Sequence, residues 1–228
     1  SGDVYAPFRG VRPWSGKERL GGEKETLGLY VTGHPIDEYE AEVRKFAPVR
    51  IADLRADSQG NAVVAGLIVA TRTMKTKRGD TMAILQLDDR SARIEVTVYA
   101  DTYNEHRELL GKDQIVIVEG SVAHDDYSGG LAMRAKGVRS LVQARQSYAS
   151  ELTIEIRHDM LSEDVTDRLE KTLAGAGGGS CPVSLIYHQA RNRARVRLGE
   201  RWQVVPSDEL LQELRDFVGN EQVALQYR

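Results

Sequence analysis

The strongest constraint in this chain is an order of periods. Between residues 61 and 142 the sequence runs through three strand-like stretches, one short helical stretch and two further strand-like stretches. The first, NAVVAGLIVATRTMKTKRG at 61–79, is β-branched and bounded by glycines. DTMAILQLDD (80–89) and ARIEVTVYA (92–100) follow, joined through the turn-forming residues DDRS. In the third stretch Ile94, Val96 and Val98 alternate with Arg93, Glu95 and Thr97, giving one buried face and one wet face. DTYNEHRELLGKD (101–113) predicts a short helix with Asp101 as N-cap and Gly111 as its stop. QIVIVEGSVAHDD (114–126) and GGLAMRAKGVRSLV (129–142) supply the last two strands. Three strands, a helix and two strands is the order of the OB-fold, a small five-stranded Greek-key barrel. Gly66 inside the first strand fits, because such a strand bends sharply to serve both sides of a barrel. A generic five-stranded α+β domain is the rival reading.

The flanks divide the rest. Residues 1–16 mix Pro, Gly and isolated aromatics without a period and predict an extended arm. Residues 17–50 predict two short helices broken at TGHP, with Gly33 ending the first and Pro35 in the first turn of the second. Ile36, Tyr39, Val43 and Phe46 form the stripe of that second helix. Residues 51–145 are the barrel domain, entered through a polar connection at 51–60. Residues 146–228 form a separate small α+β domain, reached over a bridge at 143–150. Its elements are a strand at 151–157, a helix opened by Ser162, strands at 181–189, 193–199 and 201–206, a helix capped by Ser207, and a last strand at 221–228. The glycine run at 175–179 predicts a flexible loop. Fold class is therefore mainly β with an α+β second unit, and no internal repeat is present.

Composition excludes more than it selects. Lys and Arg number 31 against 34 Asp and Glu, a net charge of −3, so any attraction to phosphate must come from a local patch. The single cysteine, Cys181, forms no internal disulfide and fits a reducing compartment, hence an expected cytoplasmic location. No apolar run approaches the ~20 residues of a membrane span. His34, His106, His124, His158 and His188 are scattered, without metal-ligand spacing. Cys181 lacks a local base and reads as a buried thiol. GAGGGS follows a helix where a phosphate loop would open one. Asp88–Asp89 and Asp125–Asp126 sit in turns, where Asp bonds the turn backbone, although adjacent carboxylates also suit Mg²⁺. The reading is a chain with no catalytic residue, no metal and no cofactor.

One stretch departs from the acidic background. TRTMKTKRG (71–79) carries Arg72, Lys75, Lys77 and Arg78 at a strand end and its turn, and Arg90 and Arg93 could extend the patch. Lys75 and Lys77 share strand parity, while Arg72 and Arg78 project oppositely or from the turn. On an OB barrel these cations would rim the face that binds single strands, with Tyr99 and Tyr103 as the nearest stacking aromatics. The competing reading is a solvated strand end whose charges prevent edge-to-edge aggregation.

ETLGLYVTGHPIDEY, TKRGDTMAILQLDDRSARIEV, VEGSVAHDDYSGGLAM and WQVVPSDELLQELRDFVGNEQVALQY together resemble the C-terminal region of the alpha subunit of bacterial DNA polymerase III, from about Gly22 onward. The resemblance implies an OB domain that contacts single-stranded template, with Arg72, Lys75, Lys77, Arg78, Arg90 and Arg93 as the candidate contacts. It implies a terminal domain that binds the tau subunit of the clamp loader. Trp202, Phe217, Val223, Leu225 and Tyr227 are the candidate anchors there, although the helix stripe of Leu210, Leu211, Leu214 and Phe217 also reads as core. It further implies that the catalytic aspartates of the polymerase lie on another part of that protein. Its main sliding-clamp motif is absent from residues 1–50, and Gln222–Tyr227 only loosely echoes such a peptide. An adaptor whose barrel binds no DNA is the alternative.

Overall fold

A computed structural model describes residues 34–125, 129–189 and 192–228. The expected arm at 1–16 and the first helix of the 17–50 segment lie outside the described residues. The second helix is present as a 3-10 turn at Pro35–Tyr39 followed by α1 (Glu40–Phe46), and Ile36, Val43 and Phe46 are buried as the stripe requires.

The barrel is built from β1 (Asp57–Lys75), β2 (Thr81–Asp88) and β3 (Arg93–Val98), then α2 (Ala100–His106), β4 (Ile115–His124) and β5 (Leu131–Ser140). It closes in the order β1-β2-β3-β5-β4, with β3 and β5 parallel. This is the OB-fold read from the order of periods. β1 pairs β4 through residues 62–67 and β2 through residues 67–75, so one strand serves both sides. Gly66 stands at the switch, where a Cβ would press on Leu87 and the Asp88 carbonyl. Val64, Ile68, Leu85, Leu87, Ile94, Val96, Val98 and Met133 fill the interior. Two expectations change locally. Tyr99, not Asp101, occupies the N-cap of α2, and Asp101 lies in the first turn where its charge meets the helix dipole. The connection at 51–60 is not merely polar: Ile51 and Leu54 are buried in the barrel core, and β1 begins at Asp57.

The bridge expected at 143–150 is a helix, α3 (Leu141–Tyr148), opened by a capping box between Ser140 and Gln143. The expected boundary at 145/146 therefore falls inside α3. Beyond it come β6 (Ala149–Arg157), α4 (Glu163–Gly175), β7 (Gly177–Cys181), β8 (Val183–Gln189), β9 (Asn192–Arg197), α5 (Asp208–Val218) and β10 (Val223–Tyr227). The sheet runs β10-β6-β8-β9, with β6 and β8 parallel. Ser162 and Ser207 cap α4 and α5 as expected. The glycine run is not a loop. It forms β7, bridged to Val204, because the chain passes so close to the Val204 carbonyl that only glycine fits at 179. The strand expected at 201–206 shrinks to a 3-10 turn at Glu200–Trp202 and the Val204 bridges.

A third apolar cluster joins the two units. Val43, Phe46 and Ala47 meet Ala65 and Ile117 of the barrel and Leu141 and Ala144 of α3. At its rim Arg145, 2 % exposed, bonds Glu42 through two nitrogens (2.6 and 2.8 Å), Asp208 (2.7 Å) and the Pro206 carbonyl (3.3 Å). The Tyr39 hydroxyl donates to Asp208 and the Tyr227 hydroxyl to Glu42. The segment before the barrel is thus the mortar between the two units.

Candidate nucleic-acid interface

Alternation on β2 assigns the faces. Ala83, Leu85 and Leu87 point into the barrel, so Met82, Ile84 and Gln86 face outward. Register then extends the outer face in rows. Arg72 lies opposite Ile84, Ile84 opposite Thr97, and Thr97 beside Arg134 on the parallel strand β5. Met74 lies opposite Met82 in the next row, and Ala70, Gln86, Glu95 and Ala132 form the row on the other side. The result is a shallow platform with an apolar middle and an arginine at each side. Ala70, Thr71, Arg72, Ile84, Gln86 and Glu95 line an open groove of about 200 Å³ on it.

The cations of the basic arm divide by partner. Arg72 meets Glu95 at 3.5 Å and is 63 % exposed. Lys75 donates to the Thr81 hydroxyl at 2.7 Å. Lys77 and Arg78 stand in the turn between β1 and β2, exposed and with no ion-pair partner among the described residues. That turn is held by the Thr76 hydroxyl, which accepts from the Arg78 and Asp80 amides.

Arg90 and Arg93 do not extend this patch. β2 separates the Lys75–Thr81 pair from the Asp88–Arg93 pair by seven residue steps, roughly 23 Å at ~3.3 Å each, so they lie at opposite ends of the strand. Both are also engaged. Arg90 holds Asp37 at 2.8 Å, pinning the β2–β3 turn to the Pro35–Tyr39 segment, and Arg93 holds its cross-strand neighbour Asp88 at 2.7 Å within the hairpin. Burial alone would raise the Asp37 carboxyl, but the Arg90 bond keeps it below its ordinary value. Tyr103 is also withdrawn, packed half-buried against the barrel core.

Tyr99 remains on the surface, 43 % exposed, with the Arg134 guanidinium 4.8 Å from its ring centre and bonded to its hydroxyl at 3.3 Å. Sequence reasoning passed over Arg134. Its parity opposite buried Met133 marked it as outward-facing, but only closure of β5 onto β3 brings it beside Tyr99.

The turn carboxylates are consumed by the fold. Asp89 accepts from the Ser91 hydroxyl (2.6 Å) and from the amides of Ile51, Ser91 and Ala92, and Asp88 accepts from the Arg90 amide. Burial pushes the Asp89 carboxyl up, yet these bonds together hold it below the usual range. Asp125 closes its turn through backbone bonds with Gly129 and Gly130, and Asp126 lies outside the described residues. Among the described residues no group of three or more His, Cys, Asp or Glu is placed to hold a metal ion. Cys181 is buried, and burial raises its thiol to about 11.

In the second unit the expected anchors separate. Val223 is 4 % exposed and belongs to the core, as do Leu210, Leu211 and Leu214. Tyr227 is seated on α1, with Lys45 over its ring and its hydroxyl on Glu42, so it serves the joint between units. Leu225 packs half-buried on the same strand. Gln222–Tyr227 does not form a free peptide, because β10 is paired along β6. Trp202 and Phe217 are half-buried, each under an arginine, Arg201 at 5.2 Å and Arg168 at 4.7 Å.

Relatives give this geometry its context. Residues 62–141 match the family described as OB-fold nucleic acid binding domain, and residues 168–219 match DNA polymerase III subunit alpha, C-terminal domain. DNA polymerase III subunit alpha of Pseudomonas aeruginosa is 48 % identical over 226 residues, 99 % of this chain. Over nearly all of its length the chain is similar to DNA polymerase III subunit alpha. The Escherichia coli K12 subunit is 43 % identical over 98 % of the chain. The chain spans 19 % and 20 % of the lengths of these two relatives. A domain of replication protein A from Methanococcus maripaludis is 17 % identical, covering 41 % of this chain and 93 % of its own, with a TM-score of 0.34. No helix among the described residues is long and apolar enough to cross a membrane.

Proposed function

We propose that the outer face of β1, β2 and β3, closed by Arg134 of β5, holds single-stranded DNA. The observation that carries this reading is the platform itself: an outer face with Arg72 at one side, beside an open groove, the Tyr99–Arg134 pair at the other, and on the adjoining turn Lys77 and Arg78, unpaired among the described residues. Arginines and lysines gain from phosphate contact by releasing counterions, and an exposed ring offers a base ~1–3 kcal/mol of stacking. One aromatic and no fixed donor array make the contact sequence-tolerant. Nucleotidyl transfer belongs, in this reading, to the other four fifths of the polymerase.

The second unit docks the tau subunit of the clamp loader, with Trp202 and Phe217 as anchors. Of the five residues expected from sequence, these two are half-buried aromatics outside the joint between units, each beneath a single arginine, and aromatic rings dominate interface energies.

Fluorescence anisotropy of labelled single-stranded DNA across a salt series tests the first part. A Lys75/Lys77/Arg78→Ala variant is expected to bind more weakly and with a shallower salt slope. Equal affinity and slope would favour the adaptor reading, in which Glu95 on the platform and the bond from Lys75 to Thr81 mark a surface satisfied without DNA. Calorimetry with tau's polymerase-binding portion tests the second: Trp202→Ala and Phe217→Ala are each expected to weaken binding about tenfold.

A further inference from the structure

Val196 is 54 % exposed, more than any other large apolar side chain described, and it lies on the outer edge of the second sheet. All six residues of β9 are exposed. The Leu198 amide donates to the Val183 carbonyl at 2.9 Å, which fixes the direction of the backbone groups before it. By alternation Ala194 and Val196 turn their N–H and C=O toward β8, whereas Arg193, Arg195 and Arg197 turn theirs outward.

The two faces of this open edge differ. Arg193, Arg195 and Arg197 project from one. Val196 and Ala194 project from the other, opposite half-buried Leu185 and Tyr187. Arg193 touches Glu155 at 3.3 Å and remains 60 % exposed. Arg195 touches Glu151 and remains 53 % exposed. Arg197 has no ion-pair partner among the described residues. The edge thus offers free backbone groups, a cationic row and an apolar row in one register.

We propose that β9 accepts an extended acidic segment of another protein as a fifth strand of this sheet. Its carboxylates, at alternate positions, meet the three arginines, and the apolar side chains between them cover Val196 and Leu185. Main-chain bonds to Arg193, Arg195 and Arg197 supply the register. Nucleic acid fits less well, because a phosphate backbone cannot pair an open strand edge. A purely protective edge needs the charges but not the exposed apolar row. The proposal rests on reading the second unit as a docking unit, and it is measured separately from tau affinity.

The experiment uses the whole chain and a labelled peptide of alternating Asp and Val, with a Lys–Val peptide and oligothymidine as comparison probes. Arg197→Glu breaks no ion pair among the described residues, and Arg197→Pro removes an outward N–H while leaving the bonds to β8. The Asp–Val peptide is expected to bind wild type, about fivefold more weakly to Arg197→Glu, and more weakly still to Arg197→Pro, at unchanged melting temperature. Slowed hydrogen exchange at the Arg195 and Arg197 amides on binding would place the added strand. The proposal is overturned by no binding to wild type, equal binding of the Lys–Val peptide, displacement by oligothymidine, or wild-type affinity in both variants. Tau binding that persists without peptide binding would remove the edge and leave the docking reading standing. Peptide binding without tau binding would support the edge and remove tau as its docking partner.

Discussion

Arg145 is 2 % exposed and bonds two carboxylates and a carbonyl, whereas Arg72 is 63 % exposed and meets one carboxylate at 3.5 Å. The same guanidinium serves two ends. At the joint between units it is desolvated and fully engaged, so its charge fixes how α1, α3 and α5 sit together. Burial would discharge it, but the bonds and charges of Glu42 and Asp208 outweigh burial and raise its pKa further. On the barrel face Arg72 stays hydrated and loosely held, which leaves its charge available to a partner. Arg90 and Arg93 look like Arg72 by exposure but resemble Arg145 by engagement. Partners, more than exposure, separate cations that build the fold from cations that can face phosphate.

Removing the buried member should give the largest effect. Arg145→Ala leaves Glu42 and Asp208 uncompensated beside an apolar cluster and is expected to destabilise the chain by about 3 kcal/mol, read by urea denaturation. A loss below about 1 kcal/mol would make the joint an ordinary surface network.

Asp89→Asn comes next, with an expected loss of about 2 kcal/mol near neutral pH, because an amide cannot accept all the bonds that the carboxylate accepts. Its pH dependence has a definite sign. The folded carboxyl lies below its ordinary value of 3.8, so its contribution is present above that value and lost as pH falls through the folded value. The stability gap between wild type and Asp89→Asn should therefore shrink on acidification below about pH 4.

On the platform the effects on stability should be small. Arg72→Ala is expected to change stability by less than about 0.5 kcal/mol. Glu95→Gln, which frees Arg72 from its carboxylate, should tighten single-stranded DNA binding about twofold. Weaker binding by Glu95→Gln would show that this pair orients Arg72.

The barrel was legible because its signals are local. Alternation at Ile94, Val96 and Val98, the turn residues at 88–91 and Gly66 each speak for their own neighbourhood. The joint was not. α3 carries the polar run QARQSY with little apolar period, and only the Ser140–Gln143 box announces a helix. Arg145 gains its role from residues about a hundred and about sixty positions away. The glycine run misled for the same reason, since what confines Gly179 is Val204, which sequence spacing does not reveal. At the candidate site, strand parity set Arg72 and Lys75 on opposite faces, but the pairing of β1 with β2 was needed to show that Arg72 is the one on the platform and that Lys77 lies beyond the strand in the turn, not beside Lys75. The separation of Arg90 and Arg93 needed the register of β2, and Arg134 needed the parallel closure of β5 onto β3.

The most direct measurement sets two double variants side by side, Arg72/Arg134→Ala and Arg90/Arg93→Ala, each removing two positive charges. Single-stranded DNA affinity is recorded for both as a function of salt. The expected result is an affinity loss of about tenfold with a reduced salt slope for Arg72/Arg134→Ala, and wild-type affinity and slope for Arg90/Arg93→Ala. Equal losses in the two variants would contradict the distinction between engaged and available cations, and would reduce the barrel's attraction for DNA to net charge alone.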